Sequence, residues 1–464
     1  MLKLEKYEVE PLPHGSPVSV PQLSPDGNQI IFVISIVKMK EDSYESHVWM
    51  VPSRGGEAVQ ITFCDGNDTA PRWSPDGKTV YFMSSRAVDG SKKNRLWRMP
   101  ISGGEARMVL DGGVRTPKVS PDGTKLLYLT RVEEDSETPE EKLEDVMWIT
   151  KLRYKMDGQG YYPYTRTHVH ILDLETGKVE QITEGPYDVS SPSWAPDGKE
   201  VAYVTNPENG DYSRARDIYK HPIGGAPRKV TSGDSMISSV SYSPSGEKIV
   251  YTGRKPDDLV YPPYMNTDIW VMPTAGGKAR NITSSFDRTV GAYGSSVDWI
   301  DEEYIYFRAP NHGTNHVHRV KVATGEVEQI TEGKMNVASF SMTPDAKIFA
   351  FDAGDANWPK EIWFYNGSEM KRLTKVNTEI MQKWKVSLPE EFWFTASDGV
   401  KVQGWIVKPH NYEADKKYPM VLEIHGGPHG AYGFNLRTAE HEFQLIAKNG
   451  YAVMYTNPRD SIGY

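Results

Sequence analysis

The chain has 464 residues, with 62 acidic and 53 basic side chains and a formal net charge of -9, a balance that argues against a nucleic-acid partner because phosphate binding calls for a basic face. Its one cysteine, Cys64, cannot form an internal disulfide, and the opening residues MLKLEKYEVEPLPHG hold no apolar signal core, so a cytoplasmic location is expected. No stretch approaches the roughly eighteen apolar residues of a membrane span, and the length calls for more than one domain or for a repeat architecture.

From the N-terminal side, one turn signature returns about every fifty residues: SPDG at 24–27, 74–77 and 120–123, APDG at 195–198, SPSG at 243–246 and TPDA at 343–346. Proline at the second position presets φ, aspartate caps the turn and glycine takes the left-handed backbone that follows, so each copy is expected to be a hairpin corner. A β-rich run follows each corner, as at 79–83 and 248–251. A second element, strand–glycine turn–strand, recurs seven times, from HVWMVPSRGGEAVQIT through VHRVKVATGEVEQIT to EIWFYNGSEMKRLT. The corner missing from the sixth unit is supplied within 297–307, where Asp301-Glu302-Glu303 stands in for Pro-Asp-Gly. Four strands per unit and seven units predict an all-β seven-bladed β-propeller over residues 1–380, which buries its sheet edges by radial closure. The third unit is longer, and its acidic stretch at 133–145 is expected to be a solvated, helical excursion within an insertion at about 131–168.

From 381 to 464 the pattern becomes that of an incomplete α/β domain. EEFWFTASDGVKVQGWIVKP reads as two strands joined at Asp398-Gly399. Residues 419–424 read as a buried strand, 438–449 as an amphipathic helix stopped by Gly450, and 451–456 as a strand left at an open sheet edge. Such an open sheet would leave the region after about 380 loose unless another chain completes it. The strand 419–424 runs into HGGPHG at 425–430, a glycine turn whose backbone N–H groups can face an oxyanion. The nucleophile elbow served by such a turn, G-x-S-x-G, occurs nowhere in the sequence. No triad serine, aspartate or histidine is therefore placed within 1–464, and the chain alone is expected to be inactive. The alternative is a noncatalytic propeller that binds proteins or peptides and carries a vestigial hydrolase stub.

Other residues invite chemistry less strongly. His312, His316 and His318 have H-x3-H-x-H spacing, but no cysteine or carboxylate completes a metal set; surface histidines are expected, with no metal and no other cofactor. The patches Tyr161-Tyr162-Pro163-Tyr164 and Tyr261-Pro262-Pro263-Tyr264 fit loops, either packed locally or lining an entrance between domains. Ser461 has a glycine two residues on, yet Arg459 stands where an elbow needs its first glycine.

The propeller repeats, the third-unit segment ending WITKLRYKMDGQGYY, the hairpin DGVKVQGWIVKP, HGGP at 425–428 and NPRDSIGY at 457–464 together resemble the prolyl oligopeptidase family of serine peptidases, and within it the acylaminoacyl-peptidase branch. The resemblance spans essentially the whole chain. It implies a seven-bladed propeller covering an α/β-hydrolase domain, hydrolysis of short or N-acylated peptides by Ser-His-Asp acyl transfer, and assembly into dimers or larger forms. It also implies that the Gly427 N–H is an oxyanion donor, that Gly426 lets the backbone come close, that Pro428 stiffens the turn and His425 orients it, and that Arg459 lies near the active site. Where the family segment reads N-P-R-G-S-x-G-Y, this chain has Asp460 in place of the glycine; aspartate tolerates a left-handed backbone and could pair with Arg459.

Overall fold

The computed structural model describes residues 17–133, 149, 152, 154–156, 160–161, 165–208, 212–291, 297–383, 385–427, 429–434 and 442–464. Its repeat begins at the hairpin corner. Gly27 N–H donates to the Ser24 carbonyl at 2.8 Å. Ser24 Oγ donates to Asp26 Oδ1 at 2.5 Å and accepts from the Gln29 N–H at 2.9 Å. The Ser74–Asp76 and Ser120–Asp122 corners repeat this pattern. The closing glycines Gly27, Gly77, Gly123, Gly198 and Gly246 have φ between 68° and 76°, and Ala346 holds the same place at φ 54°.

Each of these corners leads into the second strand of its unit: Gln29–Lys38, Thr79–Ser84, Lys125–Glu133, Glu200–Thr205, Lys248–Arg254 and Phe349–Gly354. These strands carry near-continuous buried runs, because sheets cover both of their faces. The recurrent Q-I-T, N-I-T at 281–283, also has a physical role. The hydroxyls of Thr62, Thr183, Thr283 and Thr331 accept from the N–H groups of Val48, Val169, Ile269 and Val317 at 2.9 to 3.0 Å, fixing the turn after each outer strand to the third strand.

Consecutive sheets pack through separate apolar clusters. Ile31 and Val48 meet Val80 and Phe82; Met83 and Leu96 meet Leu126 and Tyr128; Leu127 and Val169 meet Val201 and Tyr203. The series continues with Val204 and Ile218 against Ile249 and Tyr251, Val250 and Ile269 against Ile305 and Phe307, and Tyr306 and Val317 against Val337 and Phe351. Ala350 and Ile362 then meet Val18, Ile30 and Phe32, which closes the ring on its first sheet. Among the described residues no strand ladder crosses this seam; each sheet beside it is built from consecutive strands. The Leu23 N–H donates across it to Ser341 Oγ at 2.9 Å.

The sixth unit is irregular. Its strands Tyr304–Asn311, Thr314–Lys321 and Val327–Gln329 join the last four into one seven-stranded sheet through a parallel pairing of Asn315 with Asn336. Asp301 does stand at the corner, where Oδ1 accepts from the Glu303 and Tyr304 N–H groups at 2.9 and 2.8 Å. Among the described residues an isolated bridge, Asp298 to Tyr306, stands where the other units have a first strand. In the third unit Lys125–Glu133 pairs along its whole length with Thr165–Asp173, so the extra residues leave from the end of a hairpin. The helix expected at 133–145 falls outside the described residues, apart from Glu133 at the end of its strand.

After the helix Thr378–Lys383, a mixed sheet forms in the order Pro389–Thr395, Lys401–Val407, Ala452–Asn457, Met420–Glu423. The last pair is parallel and the others antiparallel. The helix Glu442–Lys448 buries Phe443 and Ala447 against Trp405, Val453 and Tyr455; the start of the helix expected over 438–449 falls among 435–441, outside the described residues. The open edge differs from expectation. Ala452–Asn457 lies inside the sheet, because Lys401–Val407 pairs on its other side, and the edge is Met420–Glu423. Met420, Leu422 and Ile424 are 53%, 50% and 74% exposed there. Among the described residues no helix is long and apolar enough to cross a membrane.

The mixed sheet docks on the sixth propeller unit at a glycine contact. Phe434 N–H donates to the Gly313 carbonyl at 2.8 Å, Asn336 Nδ2 donates to the Phe434 carbonyl at 2.9 Å, and His312 N–H donates to the Gly463 carbonyl at 3.1 Å. Gly313 has φ +74°, and a Cβ there would lie 2.7 Å from the Trp405 ring; one on Gly433 would fall on the Gly313 carbonyl.

Candidate functional site

The edge strand Met420–Glu423 delivers the chain to His425 and the glycine turn. Gly426 and Gly427 are exposed, and Gly427 has φ +114°, a conformation that favours glycine. The loop folds back so that the Gly430 backbone sits beside it: a Cβ on Gly427 would lie 3.2 Å from Gly430 N. Among the described residues nothing accepts a hydrogen bond from the Gly427 N–H. An exposed, unspent donor held in a fixed turn is what oxyanion binding requires. Pro428 lies outside the described residues.

The segment NPRDSIGY returns to this turn. Ile462 N–H donates to the Gly430 carbonyl at 3.3 Å, His425 Nε2 lies 3.0 Å from Ser461 Oγ, and His429 Nδ1 lies 3.2 Å from the Asp460 carbonyl oxygen. His425 also packs edge-on against Tyr432 with centroids 5.3 Å apart. His425 is thus held on both sides, by a hydroxyl and by a ring. Asp460 takes a left-handed backbone at φ 66°, which aspartate tolerates better than most residues. Its carboxylate is not the one that pairs with Arg459. The Arg459 guanidinium pairs instead with Asp398 in the hairpin turn, both side chains about half exposed, and the pairing holds the Asp398 carboxyl below its usual range.

The propeller reaches the same place. Tyr264 stacks on His429, ring centroids 3.3 Å apart and planes 10° apart, and Arg254 sits 5.8 Å over the Tyr264 ring. Of the two aromatic patches, the one at 261–264 therefore faces the glycine turn. In the other, Tyr161 stacks on Tyr154, while 162–164 lie outside the described residues. His312 is exposed, as expected of a surface histidine, but the other two depart from expectation. His316 and His318 are 2% and 3% exposed, not on the surface. His316 Nδ1 lies 3.1 Å from Thr331 Oγ1, and His318 stacks on Phe307. Burial pushes both imidazoles down to about 4.

Sequence reasoning did not anticipate the His425–Ser461 and Tyr264–His429 contacts, which join residues far apart in the chain. It also missed His47, Cys64 and Asp68, whose ligand atoms all lie within 4.8 Å of one another. The one local signal was the cysteine four residues before an aspartate in FCDGND.

The TolB β-propeller domain family (PD40) matches residues 14–149 and 160–384. An uncharacterized peptidase of Bacillus subtilis, YuxL, is 34% identical over 467 residues, covering 96% of this chain and 70% of the relative. Dipeptidyl-peptidase 5 of Porphyromonas gingivalis is 28% identical, covering 97% of this chain and 67% of the relative. Among solved structures, Pyrococcus horikoshii acylaminoacyl peptidase superposes with TM-score 0.79 at 24% identity, over 98% of this chain and 67% of that one. The chain thus spans about two thirds of the length of these relatives. With a propeller family matched over most of its length and a 34%-identical peptidase covering 96% of it, the chain belongs to the TolB β-propeller family, beside relatives named as peptidases, and it shares the fold of acylaminoacyl peptidase.

Proposed function

We propose that this chain is the propeller and leading hydrolase portion of a cytoplasmic serine-type peptidase that cleaves short or N-acylated peptides. In this reading the propeller has seven blades, the composite last sheet counting as two, and ends near residue 380. Residues 381–464 open an α/β-hydrolase sheet, and the serine, aspartate and histidine belong to the further third of length that the relatives possess. The serine attacks the scissile carbonyl, the histidine carries its proton to the leaving amine and the aspartate orients the histidine. The Gly427 N–H holds one side of the oxyanion, a contribution of roughly 3 to 4 kcal/mol to the barrier. The observation that carries the reading is the Gly427 N–H, without an acceptor among the described residues, at φ +114° just beyond the end of a sheet strand. The Tyr264–His429 stack supports a site shared between propeller and hydrolase, in which the propeller limits the size of the peptide admitted. The same reading makes Arg459 a substrate-proximal side chain, held by Asp398 until a peptide arrives.

The test is a pair of proteins assayed on N-acetylated aminoacyl p-nitroanilides: residues 1–464, and the same chain extended by its natural continuation. The extended protein is expected to turn over and to be silenced by a fluorophosphonate, the 464-residue chain to do neither. Gly427→Pro in the extended protein, which removes the donor and cannot keep the turn's φ of +114°, is expected to lower kcat by at least roughly 10²- to 10³-fold. An extended protein without fluorophosphonate-sensitive turnover overturns the reading in favour of a binding module.

A further inference from the structure

The loop between the first two propeller sheets gathers three metal-binding side chains. His47 lies on the third strand of the first sheet, Ser43–Pro52, and Asp68 opens the first strand of the next, Asp68–Trp73; Cys64 lies in the connection between them. His47 is 4% exposed and Asp68 is fully buried, while Cys64 is half-buried. His47 Nδ1 and Cys64 Sγ each lie 3.4 Å from the same oxygen, Asp68 Oδ2.

The repeat shows that this grouping is specific to one place. His168 and His316 stand at the matching position of later units, and each points Nδ1 at its own Q-I-T threonine at 3.1 Å. His47 points Nδ1 at Asp68, although Thr62 is in the matching place and accepts from Val48. The other ring nitrogen is already committed, because His47 Nε2 lies 3.0 Å from Glu45 Oε1. A ring that gives its Nε2 proton to Glu45 presents a lone pair at Nδ1 to a carboxylate, so two acceptors face each other unless a cation or a second ring proton stands between them. A carboxylate behind the distal nitrogen of a histidine is also the usual support for a metal-binding imidazole. Around the other two groups, the Arg86 guanidinium donates to Asp68 Oδ1 at 3.0 Å, the Ser84 and Thr62 hydroxyls also bond that carboxylate, and the Gly66 N–H donates to Cys64 Sγ at 3.4 Å.

We propose that His47 Nδ1, Cys64 Sγ and Asp68 Oδ2 form a site for a divalent transition metal of the zinc type, with Glu45 as the support of His47. Nitrogen, thiolate and carboxylate together are a donor set for zinc, and three protein ligands leave a fourth position for water on the side where Cys64 is open. The metal takes the thiolate, so each binding event releases the Cys64 proton to solvent. Because the ligands come from adjoining sheets, the metal fastens the first unit to the second, one interface away from the seam.

Cobalt(II) reports directly on this site. The chain has one cysteine, so a thiolate-to-cobalt charge-transfer band can arise only from Cys64. The 464-residue protein is expected to bind one equivalent of cobalt with that band, to lose the band when zinc is added, and to unfold at higher temperature with zinc than with a chelator. Cys64→Ser and His47→Gln are expected to lose the band and the zinc-dependent rise in Tm, and Glu45→Gln to bind roughly 10- to 100-fold more weakly. Cys64→Ser, the smaller change in a half-buried loop, keeps the test decisive if the His47 variant does not fold. Absence of the band from the wild-type protein, or zinc stabilisation undiminished in Cys64→Ser, overturns the proposal.

Discussion

At the scale of single residues, burial changes what a side chain is for. His316 and His318 look in sequence like a ligand pair on one strand face, but the strand Thr314–Lys321 carries that face into the propeller core. Their lowered pKa of about 4 against an ordinary 6.5 gives stability a pH dependence whose sign is fixed. The unfolded rings take protons first as pH falls, so the stability is fully present above about 6.5 and is lost as pH drops towards 4, on the order of 3 kcal/mol per ring. His318→Phe, which keeps the stack on Phe307, is expected to unfold in urea with a flatter pH dependence than wild type below about pH 6.5; an unchanged profile excludes this account. Burial of this kind was not legible in the sequence, because alternation along a strand identifies two faces without saying which is covered. The metal-site residues were hidden for a related reason, since His47 meets Cys64 and Asp68 only after two sheets pack together.

At the scale of elements, the hairpin corners were the most legible part of the chain, because each is satisfied by its own few residues. Serine, aspartate and glycine in S-P-D-G bond one another, so sequence alone fixes the geometry. The exception tests the rule. Ala346 holds the glycine place at φ 54°, where a Cβ crowds the backbone. Ala346→Gly is expected to stabilise the protein by about 0.5 to 1 kcal/mol in denaturant unfolding, the relief of strain exceeding the added freedom of the unfolded chain; a loss of stability counts against strain at this corner. The hairpin at Asp398-Gly399 was legible for the same local reason, with Ala396 N–H donating to the Val400 carbonyl at 2.8 Å. The parallel bridge between Asn315 and Asn336, and the choice of Met420–Glu423 as the open edge, depend on which segments meet. No local pattern encodes that.

At the scale of the whole molecule, the contact between propeller and mixed sheet rests on two glycines that let backbones touch. Gly433→Ala is expected to push Phe434 off the Gly313 carbonyl and to release the region after 385 to proteolysis while the propeller stays resistant. An equally protected variant would mean that the ring contacts of His312 with Trp393 and Tyr464 suffice. The exposed Met420, Leu422 and Ile424 give that region a second vulnerability, an apolar edge available to other chains. In the glycine turn, sequence pointed to the residues, and folding added what they touch: Ser461 behind His425 and Tyr264 over His429.

The seam between the first and last sheets has a thermal consequence. Strand ladders hold each sheet together, but Val18, Ile30 and Phe32 meet Ala350 and Ile362 through apolar burial. Burial weakens on cooling, because its driving force near room temperature is the entropy of water. The joint that completes the circle, like the other joints between sheets, therefore weakens on cooling, whereas the strand ladders within each sheet do not depend on that burial.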